Sequence, residues 1–433
     1  MHPASFTSPR ITRLLVTALV AAALSSCASA PSSSPAAAGT RAAPTLQSPA
    51  LAGADEATRR QAFARWLSEF RATARASGIS EATLRSALDK AQYLPDIIPL
   101  DRAQPEFTRT PWAYLDNTVS PQRIATGQEK LRDIRREADA AAVRYGVPAP
   151  VIVAIWGMES NYGSNYGNTP TVDALATLAF DGRREEWARG ELLAALKIID
   201  KGDIDGAHMI GSWAGAMGQT QFMPSNFLAY AVDADGDGRR DIWGSMADVT
   251  ASTANFLARA GWQAGKPWGT EVQVPTGFDY ARADPTVRQS AAQWAAEGVR
   301  TMDGQPLPDL ADGSILLPAG ARGPAFLVGA NFRAILRYNN STSYALAVGL
   351  LSQRLAGGSG VQASWPRDLA ALTRSELTEL QTLLNQRGFA SGTPDGVMGP
   401  ATRAGLRDYQ RSVGLPADGY PTAGVLQRLR ESR

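Results

Sequence analysis

The sequence predicts a mainly α protein with one short-stranded insertion and a small helical C-terminal unit. Three observations carry that prediction. Apolar residues recur at helical spacing through most of residues 55–356, beginning with Phe63, Trp66, Leu67 and Phe70 at i, i+3, i+4 and i+7. Short strand-like runs are confined to about 270–330. Gly357, Gly358, Ser359 and Gly360 then punctuate the chain ahead of a final stretch with its own helical stripes.

Composition narrows the chemistry. The chain has 433 residues, 44% apolar and 19% charged, a globular balance long enough for two or three domains. Lys and Arg number 43 against 41 Asp and Glu, which argues against a nucleic-acid partner. One cysteine, Cys27, excludes an intrachain disulfide and a cysteine-based zinc site. The two histidines, His2 and His208, exclude multi-histidine metal sites. Acid–base work therefore falls mainly on carboxylates.

The N-terminus reads as an address. Arg10 and Arg13 precede an apolar run at 14–24 that is too short to span a bilayer, and small residues follow. Leu24-Ser25-Ser26-Cys27 resembles a bacterial lipobox, in which the cysteine is acylated and becomes the first mature residue. Ala28, rather than aspartate, follows it, which under that resemblance implies the outer membrane facing the periplasm. A plain signal peptide cleaved near Ala28 or Ala30 is the alternative. The expected organisation is a leader at 1–27, an Ala/Ser/Pro-rich tether at 28–54, a catalytic-sized domain at 55–356, a linker at 357–366 and a C-terminal module at 367–433.

Within the large domain, Gly78 ends the first helix and Ser80 caps the next. A long polar-faced helix is expected over about 126–145, stopped by Gly146 and Pro148, with a shorter apolar one over about 150–158. Helical patterns recur near 185–200, 222–231, 247–260, 331–337 and 342–355. Val272-Gln273-Val274, Ile315-Leu316-Leu317 and Phe326-Leu327-Val328 read as strands.

The apolar helix leads to a candidate acid. If it ends near Glu159, then Trp156 and Ile155 share that residue's face. Apolar surroundings disfavour the ionised carboxylate and raise its pKa. A carboxyl protonated near neutrality is able to donate to a leaving oxygen. The following loop carries Asn161, Tyr162, Tyr166 and Asn168 among Gly163 and Gly167, groups suited to a sugar ring. The plainer reading is a glutamate at the exposed end of an apolar helix.

A second constellation lies further on. Asp233, Asp235, Asp237, Arg239 and Asp241 fall at positions 1, 3, 5, 7 and 9 of a loop with Gly236 and Gly238, an arrangement that converges oxygens on calcium. Position 12 is Gly244 instead of the usual glutamate. A solvated acidic turn, partly neutralised by Arg239 and Arg240, is the competing reading, and magnesium suits the loop less well.

Three blocks make the chain recognisable. Trp156-Gly157-Met158-Glu159-Ser160-Asn161-Tyr162-Gly163, the stretch from Gly211 to Ser225 containing Ala216-Met217-Gly218-Gln219-Thr220-Gln221-Phe222-Met223-Pro224, and Arg337-Tyr338-Asn339-Asn340-Ser341-Thr342-Ser343-Tyr344-Ala345 resemble, in order, blocks of the membrane-bound lytic murein transglycosylase B family, glycoside hydrolase family 103. The resemblance implies a goose-lysozyme-like domain that cleaves the β-1,4 bond between N-acetylmuramic acid and N-acetylglucosamine without water, leaving 1,6-anhydro ends. It implies Glu159 as sole acid and base, with Ser212, Gln221, Tyr338, Asn339, Tyr344 and Tyr162 around the substrate. It leaves Met217, Phe222 and Met223 between groove and core. The nearest following acid is Asp173, so the sequence neither supplies nor excludes a second carboxylate. The family's calcium loop takes its last acid a few residues late, which points to Asp248.

In the C-terminal module, Leu380-Gln381, Gly388-Phe389, Asp395-Gly396, Gly399-Pro400, Thr402, Leu406, Tyr409-Gln410, Gly414-Leu415 and Asp418-Gly419 resemble the peptidoglycan-binding domain 1 family. That resemblance implies a three-helix module binding cell-wall muropeptide. The expected partners are peptidoglycan glycan strands and, through a lipid on Cys27, the outer membrane, and the expected state is a monomer. A water-adding muramidase and a non-catalytic wall-binding lipoprotein are the competing functional readings.

Overall fold

The helix Ala149–Ser160 occupies the centre of the main core, packed by Pro121–Asp133, Arg135–Tyr145, Met246–Arg259 and Thr342–Leu355 in a computed structural model that describes residues 47, 51, 53–102 and 109–431. The leader, its lipobox cysteine and nearly all of the tether lie outside the described residues. Residues 42–433 make up one compact unit. The first helix, Glu56–Ala76, is capped by Asp55 and buries Phe63, Trp66 and Phe70 as its stripe requires. Ser80 caps Glu81–Ser86.

Two expectations need correction. The single helix over 126–145 is two helices, Pro121–Asp133 and Arg135–Tyr145, joined at Ile134 with φ −105° and ψ 25°. Ile134 is buried, so the chain bends to drive it inward, and the polar face that runs through both helices hides the break. The helix Thr171–Asp181 was not legible. All but one of its residues are buried, so it has no polar face to set a period.

The short strands form one antiparallel sheet in the order Arg300–Thr301, Gly269–Gln273, Ala325–Val328, Ser314–Leu316. Val272, Phe278, Trp294, Ile315 and Leu327 build a second core on it. Trp294 is fully buried and donates its indole N–H to Gly313 O at 2.9 Å. Its helix, Ala291–Ala296, lies inside the segment expected to hold only strands and turns.

The C-terminal module packs the three helices Arg374–Gln386, Pro400–Ser412 and Ala423–Glu431 around Leu380, Leu384, Leu406 and Leu429. Two buried glutamines close its two Asp-Gly turns. Gln381 Oε1 accepts from the N–H groups of Asp395 and Gly396, and Gln410 Oε1 accepts from that of Gly419. The chain just beyond the Gly-rich stretch is pinned to the large domain. Glu271 accepts from the backbone N–H groups of Gln362 (2.7 Å) and Ala363 (2.8 Å), Trp365 packs on Trp112, and Arg367 forks onto Asp116 at 2.6 and 3.0 Å. The module itself docks on the stranded insertion: Arg407 donates to Asp284 Oδ2 and Ala283 O, and Asp418 Oδ2 accepts from Ala321 N at 2.8 Å. The double substitution Asp284→Ala with Asp418→Ala is expected to release the module. Small-angle scattering should then give a larger radius of gyration, and protease should cut 357–366 several-fold faster than in the parent.

Candidate active site

Glu159 lies in the last turn of Ala149–Ser160, and the way that helix stops fixes where the carboxyl points. Asn161 and Tyr162 both take left-handed backbone, φ 49° and 59°, and return their N–H groups to Gly157 O and Trp156 O. The reversal tucks the Tyr162 ring edge-on against Trp156 and sends its hydroxyl to Arg123 O at 2.9 Å. Arg123 in turn donates to Gly157 O, so one residue clamps the helix and the loop behind it. Gly157 is required here: a Cβ would lie 2.4 Å from the Tyr162 ring. Tyr162 is therefore corrected from a sugar contact to a core residue, 5% exposed.

The carboxyl of Glu159 is partly buried and accepts the Tyr344 hydroxyl on Oε1. Burial raises its pKa from 4.5 to about 7 against the opposing pull of that hydroxyl, and no neighbouring charge contributes. Tyr344 stands in the first turn of Thr342–Leu355, capped by Ser341, and Tyr338 ends the preceding helix Ala330–Tyr338. The third sequence block is thus a helix–helix corner that aims the Tyr344 phenol at the acid, with Asn339 exposed at its apex. Tyr338 gives its own hydroxyl to Thr220 O at 2.7 Å. Burial and then the charge of Glu159 push both phenols well above the ordinary tyrosine range, so they remain donors.

The second block wraps the other side. Ile210–Gly211 pairs with Thr169–Pro170, and Met217 bridges to Gly211 and Phe222, which folds 211–222 into a tight loop. Gly167 and Gly211 permit that closeness, since a Cβ on Gly167 would lie 2.1 Å from Gly211 O. Gln221, at φ 51°, donates to Tyr166 O and Gly218 O and so ties this loop to the one following Glu159. Ser212 is half-buried, its hydroxyl accepting from Ala216 N. Met217 and Phe222 are buried in the core, and Met223 is partly buried. Asn161, Tyr162 and Gln221 are the non-glycine residues with positive φ among those described, and all three border Glu159 or the loop facing it. Sequence reasoning missed Gln219 and Arg123. Gln219 takes the Trp156 indole N–H at 2.8 Å and donates to Trp243 O, and its place in the apolar second block was a visible signal. Arg123 sits in a helix with nothing to single it out.

The acidic loop separates into two parts. Oxygens of Asp233, Asp235 and Asp248 lie within 4.8 Å of one another. Asp237 and Asp241, expected as ligands, fall outside that cluster: Asp237 accepts from Arg239, and Asp241 caps the N–H groups of Trp243 and Gly244. At position 12, a Cβ on Gly244 would lie 2.8 Å from Asp241 Oδ2. Asp248 is fully buried, its oxygens accept from Ala234 N and Asp241 N, and no basic side chain among the described residues bonds it. Burial, with the charge of Asp235 adding to it, raises its pKa. Three converging hard oxygens, one of them buried, fit a calcium ion.

The chain is similar to known proteins over most of its length. The model of the transglycosylase SLT domain matches residues 62–353, and that of a peptidoglycan binding domain matches 373–429. The chain is 34% identical over 295 residues, 79% of the relative and 64% of its own length, to membrane-bound lytic murein transglycosylase B of Escherichia coli. It superposes on SltB3 from Pseudomonas aeruginosa, solved in complex with NAG-anhNAM-pentapeptide, with TM-score 0.83 and 51% identity over 85% of this chain and 99% of that one. The Escherichia coli lytic transglycosylase Slt35, solved in complex with calcium, matches with TM-score 0.57 and 33% identity over 67% and 92% of the two chains. By sequence and by fold, this chain belongs to the SLT-domain lytic transglycosylases.

Proposed function

We propose that this protein is a lytic transglycosylase of the cell envelope that cuts peptidoglycan with Glu159 as its single acid and base. The observation that carries the reading is the carboxyl itself, poised at about pH 7 by burial and one phenol. Protonated Glu159 gives its proton to the oxygen joining muramyl C1 to the next sugar, and the C1–O bond breaks. The substrate's N-acetyl oxygen supports the cationic centre. Ionised Glu159 then takes the proton from the muramyl C6 hydroxyl as that oxygen bonds to C1, which closes the 1,6-anhydro ring and restores the acid. Water is not consumed. A pKa near the working pH suits a group that must do both tasks. Tyr344 holds the carboxyl in place through both steps, while Ser212, Gln221, Tyr338 and Asn339 orient sugar hydroxyls and amides.

Asp233, Asp235 and Asp248 would hold a calcium ion whose role is structural, neutralising three acids and fixing the loop 233–248 beside Trp243. Cys27 would carry a lipid that anchors the chain to the outer membrane, facing the periplasm, with the C-terminal module gripping the wall. The sequence signals at 10–28 support the anchor.

Glu159→Gln is expected to lower turnover of purified sacculi by about 10²–10⁴-fold. Mass spectrometry of the wild-type products should show muropeptide ends one water lighter than a muramidase leaves. Wild-type kcat/KM should fall as pH rises through about 7, where the acid loses its proton. The same shift affects folding. The unfolded carboxyl ionises near 4.5 and the folded one near 7, so stability declines with rising pH across that window, and the melting-temperature advantage of Glu159→Gln should grow from pH 4.5 to 7. Calcium at about 100 times its Kd should stabilise the chain by about 2.7 kcal/mol, an effect that EDTA or Asp248→Asn removes in thermal melts. Cys27→Ala should move the protein from the membrane to the soluble envelope fraction on centrifugation.

A further inference from the structure

Three consecutive residues of the second block bond three different segments. Thr220 O accepts the Tyr338 hydroxyl, and the Gln221 side chain donates to Tyr166 O. Gln219 makes the third connection, and it leads to the helix of the acid. Its side chain is buried and bonded at both ends. Oε1 accepts the Trp156 indole N–H at 2.8 Å, and Nε2 donates to Trp243 O at 2.6 Å. Its backbone N–H bonds the same stretch, at Ile242 O, 2.9 Å away. Residues 242–243 are held in turn: the Trp243 indole donates to Ile210 O, and its backbone N–H donates to Asp241 Oδ1. Gln219 therefore presents Trp156 with an acceptor of fixed position.

Trp156 precedes Glu159 by three residues, so the two share a helix face, and the helix ends at Ser160. Indole and carboxyl thus leave the same terminal turn. The returning loop closes on the indole as well. The Tyr162 ring stands edge-on to it, and a Cβ on Gly163 would lie 2.3 Å from Gln219 Oε1 and 3.3 Å from Trp156 Cζ2. Glycine at 163 leaves the amide room to reach the indole. The buried amides of the C-terminal module, Gln381 and Gln410, give their oxygens to the backbone of turns. Gln219 gives its oxygen to a side chain one turn from the acid. Without that amide, the indole N–H and the Trp243 carbonyl are left unpaired in the interior. An indole that rotates to find another acceptor moves the turn that carries the carboxyl. We infer that Gln219 is a positioning residue for Glu159, acting through its bond to the Trp156 indole. The inference rests on the role proposed above for Glu159.

The test uses the full-length chain and a soluble glycan oligomer, at a temperature where circular dichroism shows each variant folded. Gln219→Met keeps the length of the side chain and removes both bonds. It is expected to lower kcat by about tenfold or more and to leave KM within about twofold of wild type. Trp156→Phe removes the same bond from its other end and should also lower kcat. The double variant should lose no more than the larger single loss, well short of the product of the two. A wild-type kcat with a lowered melting temperature overturns the inference and leaves Gln219 a lock on the fold. A raised KM at wild-type kcat overturns it too, since the residue would then serve binding. Losses that multiply in the double variant overturn it because the two residues would act separately. Unchanged kcat in Trp156→Phe overturns it whether or not Gln219→Met folds. Failure of the role proposed for Glu159 looks different: Glu159→Gln would turn the oligomer over at the wild-type rate.

Discussion

The carboxyl of Glu159 is held between two opposing demands, and the architecture is arranged to keep them in balance. Burial raises its pKa to about 7, and the bond from Tyr344, which favours the charged form, opposes that rise. The two residues lie 185 positions apart, on separate helices. Their meeting depends on how Thr342–Leu355 packs against Ala149–Ser160, which makes the main core part of what sets the state of this carboxyl.

That dependence explains where the strain sits. The helix carrying Glu159 stops abruptly after Ser160, and the chain reverses at once. Stopping it costs two left-handed non-glycine residues, each on the order of 1–3 kcal/mol. The burial of the Tyr162 ring and its bond to Arg123 offset part of that cost. Gly157 gives the ring its seat. The loop opposite repeats the logic with Gln221, whose side chain satisfies two backbone carbonyls while its own backbone is left-handed. Rigidity on both sides of the acid comes from short bonds between loops.

The sequence made legible what depends on local pattern. The apolar run ahead of Glu159, the helix stripe of Phe63, Trp66 and Phe70, and the three short strands were all readable because period and composition agree there. Tyr162 was misread because its aromatic ring sits in a loop rich in sugar-compatible residues, and only the backbone reversal shows that it points inward. Loop spacing placed Asp237 and Asp241 with the other acids but could not show that their carboxyls bond local N–H groups, Asp237 that of Arg239 and Asp241 those of Trp243 and Gly244. The helix Thr171–Asp181 left no trace, since a segment buried on every side has no period to detect. The clamp by Arg123 was out of reach in principle: it joins residues 34 positions apart through a backbone carbonyl.

The C-terminal module shows how a repeated motif is adapted to hold two domains together. Gln381 with Asp395 and Gln410 with Asp418 are the same lock, an amide closing an Asp-Gly turn. Asp395 serves its own turn through Oδ1, bonding Gln381 and Val397 N. Asp418 does the same through Oδ1 with Gln410 and Tyr420 N, and turns Oδ2 outward to Ala321. A Cβ on Gly320 would lie 2.4 Å from that oxygen, so the docking also selects glycine on the partner surface. A flexible tether would raise the local concentration of wall at the site without choosing an orientation. A docked module fixes the distance between the two binding surfaces, so avidity is gained only by strands whose length and path match that spacing.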